Sequence, residues 1–536
     1  MANNNKKKNG GRKNGKRRNS NLKDYSTFEK ESNENYKGKT QAKNDLKWYG
    51  KGTLLKDAAS FSFPTASGRK HTVIDLQPGI TVSADFQRYQ VYPGIMELDM
   101  INLPGSIGSW HDPVNVMIRK IYSFIRHQNS GSKNYDAADL GVYFQVYDNA
   151  VSFYAYMVRL YGTLRSLIVQ NSYTPQDLVT VMGADYTDLV ANMAAFRAYI
   201  NTYAVRLAAL KVPSNLHFIE RHMWLYSNIF ADAPTPKAQM YIIKPAAFWE
   251  YTVGSTPETT KFALTEVVPA CADGSRYTYE RLRVTGDRFL NSVLNNEDFN
   301  IMSGDIIKAY GDQVFTVNMI NEDYLVTPVY EPEVLFQLHN ATLLPCTSST
   351  SSTPSGWTNW TIKQDYSEDA NVGALVGEFG IPMWSSTVGN QFGSVIKGVT
   401  RAPFDVPTAQ PDHELCALGT RMMVVGKVEK REEQGGGKLW YFVPTAYGTE
   451  ICVGALVYKH QAPSGILTFH ELSFNEASAF SVYPLLNTAS GKFAVDAITV
   501  SNAGVVGNID NITWLTHDEV ARVHEACLLG VYGLDE

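Results

Sequence analysis

Between Asp112 and Phe230 the chain carries start and stop signals for five consecutive helices, and this run limits the fold more than any other feature. Asp112-Pro113 sets an N-cap followed by proline at the first helical position, where a missing N–H costs nothing. Val114, Met117, Ile118, Ile121 and Ile125 then repeat at helical spacing until Asn129-Ser130-Gly131 stops them. Asp136 with Asp139 opens a second helix, running to Arg159-Leu160-Tyr161-Gly162 and apolar around most of its circumference. Thr174-Pro175 and Asp185 with Asp188 open two more, Lys211-Val212-Pro213 closes the latter, and Asn215–Phe230 is the fifth. A helix apolar on nearly every side needs partners on every side, so a multi-helix core or a subunit interface is predicted.

Beyond Ala231-Asp232-Ala233-Pro234-Thr235-Pro236 the texture changes to short β runs such as Val314–Ile320, Tyr324–Tyr330, Met422–Val428 and Leu439–Val443. Lys430–Lys438 reads as an exposed hairpin loop, and Thr347–Gly356 as another exposed connection. Thr516 and Glu519 form a capping box that starts a last helix. The expected class is therefore α+β, and 536 residues allow two to four domains. We divide the chain into an arm (1–44), a largely helical domain (45–237), a β-rich domain (238–505) and a C-terminal segment (506–536) whose helix returns to the helical part.

The arm stands apart in charge. Residues 1–50 hold 14 Lys/Arg against 5 Asp/Glu, leaving 34 basic against 48 acidic residues in the other 486. A tail of net +9 thus sits on a body of −14. After Ala2 the next apolar residue is Leu22, so nothing offsets the entropy of ordering this segment and it is expected to be disordered. Order is expected to begin near Asp45–Tyr49. Lys6, Lys7, Lys8, Arg12, Lys13, Lys16, Arg17 and Arg18 form a polycation suited to phosphates through counterion release, with little sequence preference. No aromatic residue interrupts the first 24 positions, so base stacking is not expected. A nuclear-localisation signal, a tether to anionic membrane and a plain solvated tail are the rival readings.

Other chemistries find little support. No signal peptide or membrane span is expected, because the most apolar window, Leu140–Val158, has Gln145, Asp148 and Asn149 near its centre. Five cysteines without a C-x-x-C pair argue for a reduced chain. Gly435-Gly436-Gly437-Lys438 and Ser490-Gly491-Lys492 lack the spacing of a phosphate-binding loop, and Ser130-x-x-Lys133 falls in a helix-ending turn. His413 and Cys416 have no second ligand pair nearby, and His217 and His222 do not share a helix face. Asp148 and Asn149 read as satisfied core or interface polars. Asn340, Asn359 and Asn511 begin glycosylation sequons that carry no weight without secretion. No catalytic residue, metal site or cofactor is predicted.

The stretch DPVNVMIRKIYSFIRHQNSGSKNYDAADLGVYFQVYDNAVSFYAYMVRLYG at 112–162 resembles the capsid protein of picobirnaviruses, together with Asn44–Tyr49 and Lys56–Phe61. Its most specific elements are Tyr122–His127, Asn129-Ser130-Gly131, Asn134-Tyr135-Asp136 and Arg159-Leu160-Tyr161-Gly162. The similarity covers about residues 44–250; beyond that, only length and β texture agree. The resemblance implies a small icosahedral shell of sixty symmetric dimers, with a helical shell domain and a β-containing projecting domain. It also implies a segmented double-stranded RNA genome inside together with the viral polymerase, the arm against that RNA, assembly in the host cytoplasm, and no enzymatic turnover. Two other readings stay open: a nucleoprotein coating RNA as filaments, and an enzyme with an aromatic cleft acting on carbohydrate.

Overall fold

The computed structural model describes residues 44–50, 52–61, 71–75, 90–92, 95–129, 131, 135–170, 174–232, 238–252, 261–266, 276–344, 360–369, 372–385, 401–406, 411–432, 438–461, 465–471, 485–488, 503–509 and 511–534. Residues 1–43 and the Thr347–Gly356 connection lie outside them. A 3₁₀ turn at Leu46–Tyr49 and helix α1 (Gly52–Ala58) lead in. The helical run follows as α2 (Pro113–Gln128), α3 (Ala137–Gln170), α4 (Thr174–Val181), α5 (Tyr186–Ala191), α6 (Met193–Leu207) and α7 (His217–Ser227).

The capping signals act where they were read. Asp112 holds the N-cap position of α2 with Pro113 in its first turn, although its carboxylate accepts from the Ser109 N–H and hydroxyl instead of the helix, and the Asp185 carboxylate accepts from the Asp188 N–H at 2.9 Å. Two boundaries differ from expectation. The helix expected between Asp185 and Lys211 is two, broken at Asn192, whose side chain bonds the Asp188 carbonyl at 2.9 Å and competes with the helical ladder. The second helix runs on past Gly162 to Gln170, about 50 Å in all. There Gly162 permits the approach of another segment: a Cβ would lie 2.8 Å from the Val326 nitrogen, which donates to the Gly162 carbonyl at 3.2 Å.

The downstream half is less purely β than its texture implied. Helices α8 (Tyr279–Leu294), α9 (Glu297–Tyr310), α10 (Pro332–His339) and α11 (His413–Gly419) precede α12 (His517–Val531). Their caps were present in sequence: Thr278 accepts from Arg281 N, and Asn296 accepts from Asp298 and Phe299 N. The Val314–Ile320 run is not a strand. It is held instead by the Asn201 side chain, which donates to the Ile320 carbonyl at 3.0 Å and accepts from its N–H at 2.8 Å.

The central sheet has six strands in the order β16-β15-β3-β5-β4-β8, where β3 is Ile95–Asn102, β4 Phe230–Ala231, β5 Met240–Pro245, β8 Val329–Tyr330, β15 Glu450–Gln461 and β16 Gly465–Glu471. Strand β3 pairs parallel with β5 and antiparallel with β15. Strands β4 and β5 pair antiparallel across the Pro-rich stretch at 231–236, so that stretch joins two strands of one sheet, and the sheet draws on both sides of residue 237. Alternation along β3 sends Ile95 and Ile101 into one core and Met96, Leu98 and Met100 into another. The first core is the aromatic helical layer around α3; the second holds Trp48, Trp224, Phe336, Phe404 and the buried face of α12. The sheet therefore lies between two helical layers.

Smaller sheets flank it. One orders β10 (Ala374–Glu378), β9 (Thr361–Asp365), β7 (Lys261–Glu266) and β6 (Ala247–Thr252). A second joins β11 (Ile381–Ser385) to the hairpin β13 (Val425–Glu432) and β14 (Lys438–Ala446). That hairpin is the one expected around Lys430–Lys438, although its tip lies outside the described residues. The remaining pairings are β12 (Arg401–Val406) with β19 (Asn511–Thr516), and β1 (His71–Asp75), β18 (Ala503–Ile509), β17 (Leu485–Thr488) and β2 (Gln90–Tyr92) in that order. The last helix packs on the 3₁₀ turn, α1, α2 and α7. No described helix is long and apolar enough to cross a membrane.

Candidate functional site: the junction beneath the arm root

Lys6, Lys7, Lys8, Arg12, Lys13, Lys16, Arg17 and Arg18 lie outside the described residues, but the point where the arm joins the body is well defined. Asn44 donates to Glu333 on α10, and the Tyr49 hydroxyl donates to Asn44 Oδ1 at 2.6 Å. Trp48 is buried against Trp224, with ring centroids 5.3 Å apart, and its indole N–H reaches Glu220 at 3.4 Å. Gly50, at φ 91°, lets the backbone lie on α12, where a Cβ would approach Ala526 O to 3.2 Å. Two large aromatic anchors thus fix the root between α7, α10 and α12.

Beneath the root lies a junction of ionisable side chains withdrawn from solvent. Arg221 on α7 donates to Glu450 at the start of β15, to the Tyr49 hydroxyl at 3.1 Å and to Gln337 on α10 at 2.8 Å. Burial alone would raise the Glu450 carboxyl, but Arg221 and Arg421 outweigh it and hold it at about 2. His222 faces Asp148 of α3 through Nδ1 at 2.8 Å and the Thr449 carbonyl through Nε2 at 3.2 Å. Both ring nitrogens meet acceptors, so Asp148 and Nδ1 share one proton between them. Asn102 closes the set, donating to Asp148 at 3.1 Å and to Ser152 at 2.8 Å. Arg421 donates to Thr449 at 2.8 Å, and His524 of α12 donates through Nε2 to the Met423 carbonyl at 3.2 Å.

The arrangement is suited to holding elements together. Eight remote pieces of chain contribute to it, and loss of any one ion leaves another buried without its partner, a strong penalty in a dry interior. Asp148, expected to be a satisfied core polar, is that. Arg221, Glu450, Arg421, His524 and Tyr49 carried no signal in sequence, because an isolated charge in an apolar stretch does not announce a partner 229 residues away. Asn340, which opens a sequon, is buried and bonds Asp405 through both ends of its amide. Among the described residues no group of three or more His, Cys, Asp or Glu side chains is placed to hold a metal ion. Ser130, Lys133, Gly435–Gly437 and Ser490–Lys492 fall outside those residues, and Lys438 opens β14.

The motif shared with the resembled family has structural work to do. Arg159 is fully buried and donates through Nη1 to the carbonyls of Ile243, at 2.6 Å, and Asn228, at 3.1 Å, tying α3 to β5 and the end of α7. Tyr122 donates to the Tyr135 carbonyl at 3.0 Å, and the Tyr135 hydroxyl to Asp305 at 2.9 Å.

With the geometry established, comparison with known proteins gives a consistent answer. The family model described as Picobirnavirus, Capsid protein matches residues 48–488. The chain belongs to the picobirnavirus capsid protein family. A capsid protein precursor of a human picobirnavirus (strain Human/Thailand/Hy005102) is 24% identical over 515 residues, covering 92% of this chain and 91% of that protein. A solved structure entitled X-ray crystallographic structure of the picobirnavirus capsid matches with a TM-score of 0.60 at 18% identity. That match covers 91% of this chain and 98% of the other, and it establishes the fold. A member of this capsid family is a structural component of the virion and assembles into its shell.

Proposed function

We propose that the chain forms dimers, sixty of which close an icosahedral shell around a double-stranded RNA genome. In this reading the arm residues Lys6, Lys7, Lys8, Arg12, Lys13, Lys16, Arg17 and Arg18 face inward and bind RNA without sequence preference. The observation that carries it, beside the family, is the charge split: +9 within residues 1–50 against −14 on the body. Nine charges on each of about 120 copies give roughly a thousand positive charges, well short of a genome's several thousand phosphates, so small cations neutralise the rest. An arm of about 40 residues reaches on the order of 35 Å, enough to leave the shell wall for the RNA. The viral polymerase is enclosed with the genome, and assembly takes place in the host cytoplasm.

The helical region, with α12 returning to it, is assigned to the shell, and the β-rich part to the projections. Sharing of the central sheet between residues before and after 237 supports a shell built from separated segments. The test is negative-stain microscopy of the full chain and of a form lacking residues 1–43, which spares Asn44 and its bond to Glu333. Closed particles from both, with nucleic acid retained only by the full chain and lost as salt rises, are expected. Open filaments or small oligomers under every condition overturn the shell, and RNA retention without the arm overturns its role.

A further inference from the structure

We propose that α12 and the arm root form an acid-released latch, with His524 as its trigger. The side chain sits in the buried face of α12, 2% exposed, and its Nε2–H is committed to the Met423 carbonyl at 3.2 Å. Gly448 lies on the other edge, where a methyl group would be in ordinary van der Waals contact with Nδ1 at 3.4 Å. Among the described residues no carboxylate is in hydrogen-bonding contact with either ring nitrogen. A proton added at Nδ1 therefore finds no anion to receive it.

The groups facing the ring make that proton harder to hold. Arg421, from the loop after α11, is fully buried beside it, and its Nε and Nη1 find no hydrogen-bond acceptor. Glu450 of β15 is the one carboxylate whose charge favours protonation of the ring, the smallest of the influences on it, and it is already taken by Arg221 of α7 and lies 3.8 Å from Arg421. Asp148 of α3 is taken by His222 of α7. Cys527, on α12 itself, and Tyr49, on the 3₁₀ turn, supply no negative charge, since burial raises both. Burial and the Arg421 guanidinium together lower His524 from the usual histidine range to about 4. The junction is short of anions before any acidification, and imidazolium formation has no sink inside it.

Exposure of the ring to water removes the conflict, so acid favours states in which α12 has lifted. Helix α12 is also what the root rests on. Gly50 lies against Ala526 and Cys527, and the 3₁₀ turn and α1 both pack on this helix. Lifting α12 thus removes one of the three helices that hold residues 44–59, leaving them on α7 and α10 alone and less protected. The sign follows from linkage: the closed form has the lower affinity for the proton, so closure is complete above the ordinary histidine value and weakens as pH falls toward 4. Between pH 7.5 and 5 the open fraction rises about 30-fold. The inference goes beyond shell assembly and does not depend on what the arm binds.

Hydrogen exchange of the full chain, corrected for intrinsic rates, measures the opening directly. The wild type is expected to lose protection about 30-fold in residues 44–59 and 517–531 between pH 7.5 and 5, with α3 still protected. His524→Gln keeps an amide N–H for Met423 but cannot be protonated, and is expected to change less than about 3-fold over the same range. Equal pH dependence in the two proteins overturns the trigger. A wild type whose α12 stays closed at pH 5, or whose α3 opens in step with it, overturns the latch. Should His524→Gln not fold, the wild-type pattern alone decides between local opening and these refuting outcomes.

Discussion

Replacing Arg221 by Met tests whether the buried junction holds the body together. The substitution removes three side-chain hydrogen bonds, to Glu450, Tyr49 and Gln337, and leaves a fully buried carboxylate whose other guanidinium neighbour, Arg421, stands 3.8 Å away. Breaking a buried ion pair on one side costs about 3–5 kcal/mol, a large part of the 5–15 kcal/mol typical of a folded protein. Removing both ions is milder, because no charge is stranded. The double variant Arg221→Met with Glu450→Leu is therefore expected to be more stable than Arg221→Met alone, with a coupling on the order of 2 kcal/mol. Urea unfolding of the full chain, followed by tryptophan fluorescence at one fixed concentration, reads both values. A pH series adds a second check. Glu450 is held at about 2, so in the wild type its stabilisation is present above the ordinary carboxyl value and lost as pH falls from 4.5 toward 2, about 3 kcal/mol in all. In Arg221→Met the carboxyl rises and most of that slope disappears. A single variant costing less than about 1 kcal/mol, or strict additivity in the pair, refutes the reasoning.

Three further outcomes follow from individual contacts. Tyr49→Phe removes the hydroxyl shared by Arg221 and Asn44 and should cost about 1–2 kcal/mol, with faster proteolysis near residues 44–59 as the local readout. Gly162→Val should cost about 1–3 kcal/mol or more in thermal unfolding, because its Cβ would meet the Val326 nitrogen, backbone that cannot swing aside. Glu519→Ala removes the carboxylate that accepts from Thr516 N and Oγ1, each at 2.8 Å, and should lower stability by about 1 kcal/mol, with exchange faster in the first turn of α12.

Much of the helical layer was legible because caps are local. Asp185 and the Thr516/Glu519 pair satisfy N–H groups within three residues, and Asp112-Pro113 sets a helix start by position alone, so nothing distant is needed to recognise them. The same logic applies to Thr278 and Asn296, yet frequent Gly, Pro and Asn drew that region toward a β reading, and α8 and α9 were missed. Val314–Ile320 has the apolar content of a strand. It pairs instead with the side chain of Asn201 and the backbone at Val212, an arrangement with no sequence period.

The Pro-rich stretch at 231–236 shows the same limit at larger scale. Proline and a change of texture mark a turn, and whether the flanking segments part or pair depends on β3 and β15, 130 and more residues away on either side. By itself the sequence determined the class, the helical run, the two-sided charge of arm and body, and the family. Only the tertiary structure decided that one sheet separates two cores and that Tyr49, Arg221, Arg421, Glu450 and His524 meet beneath the arm root. Caps and periodicity act over one or two turns of chain. The position of a buried charge is set by which distant segment excludes water from it and which supplies its partner.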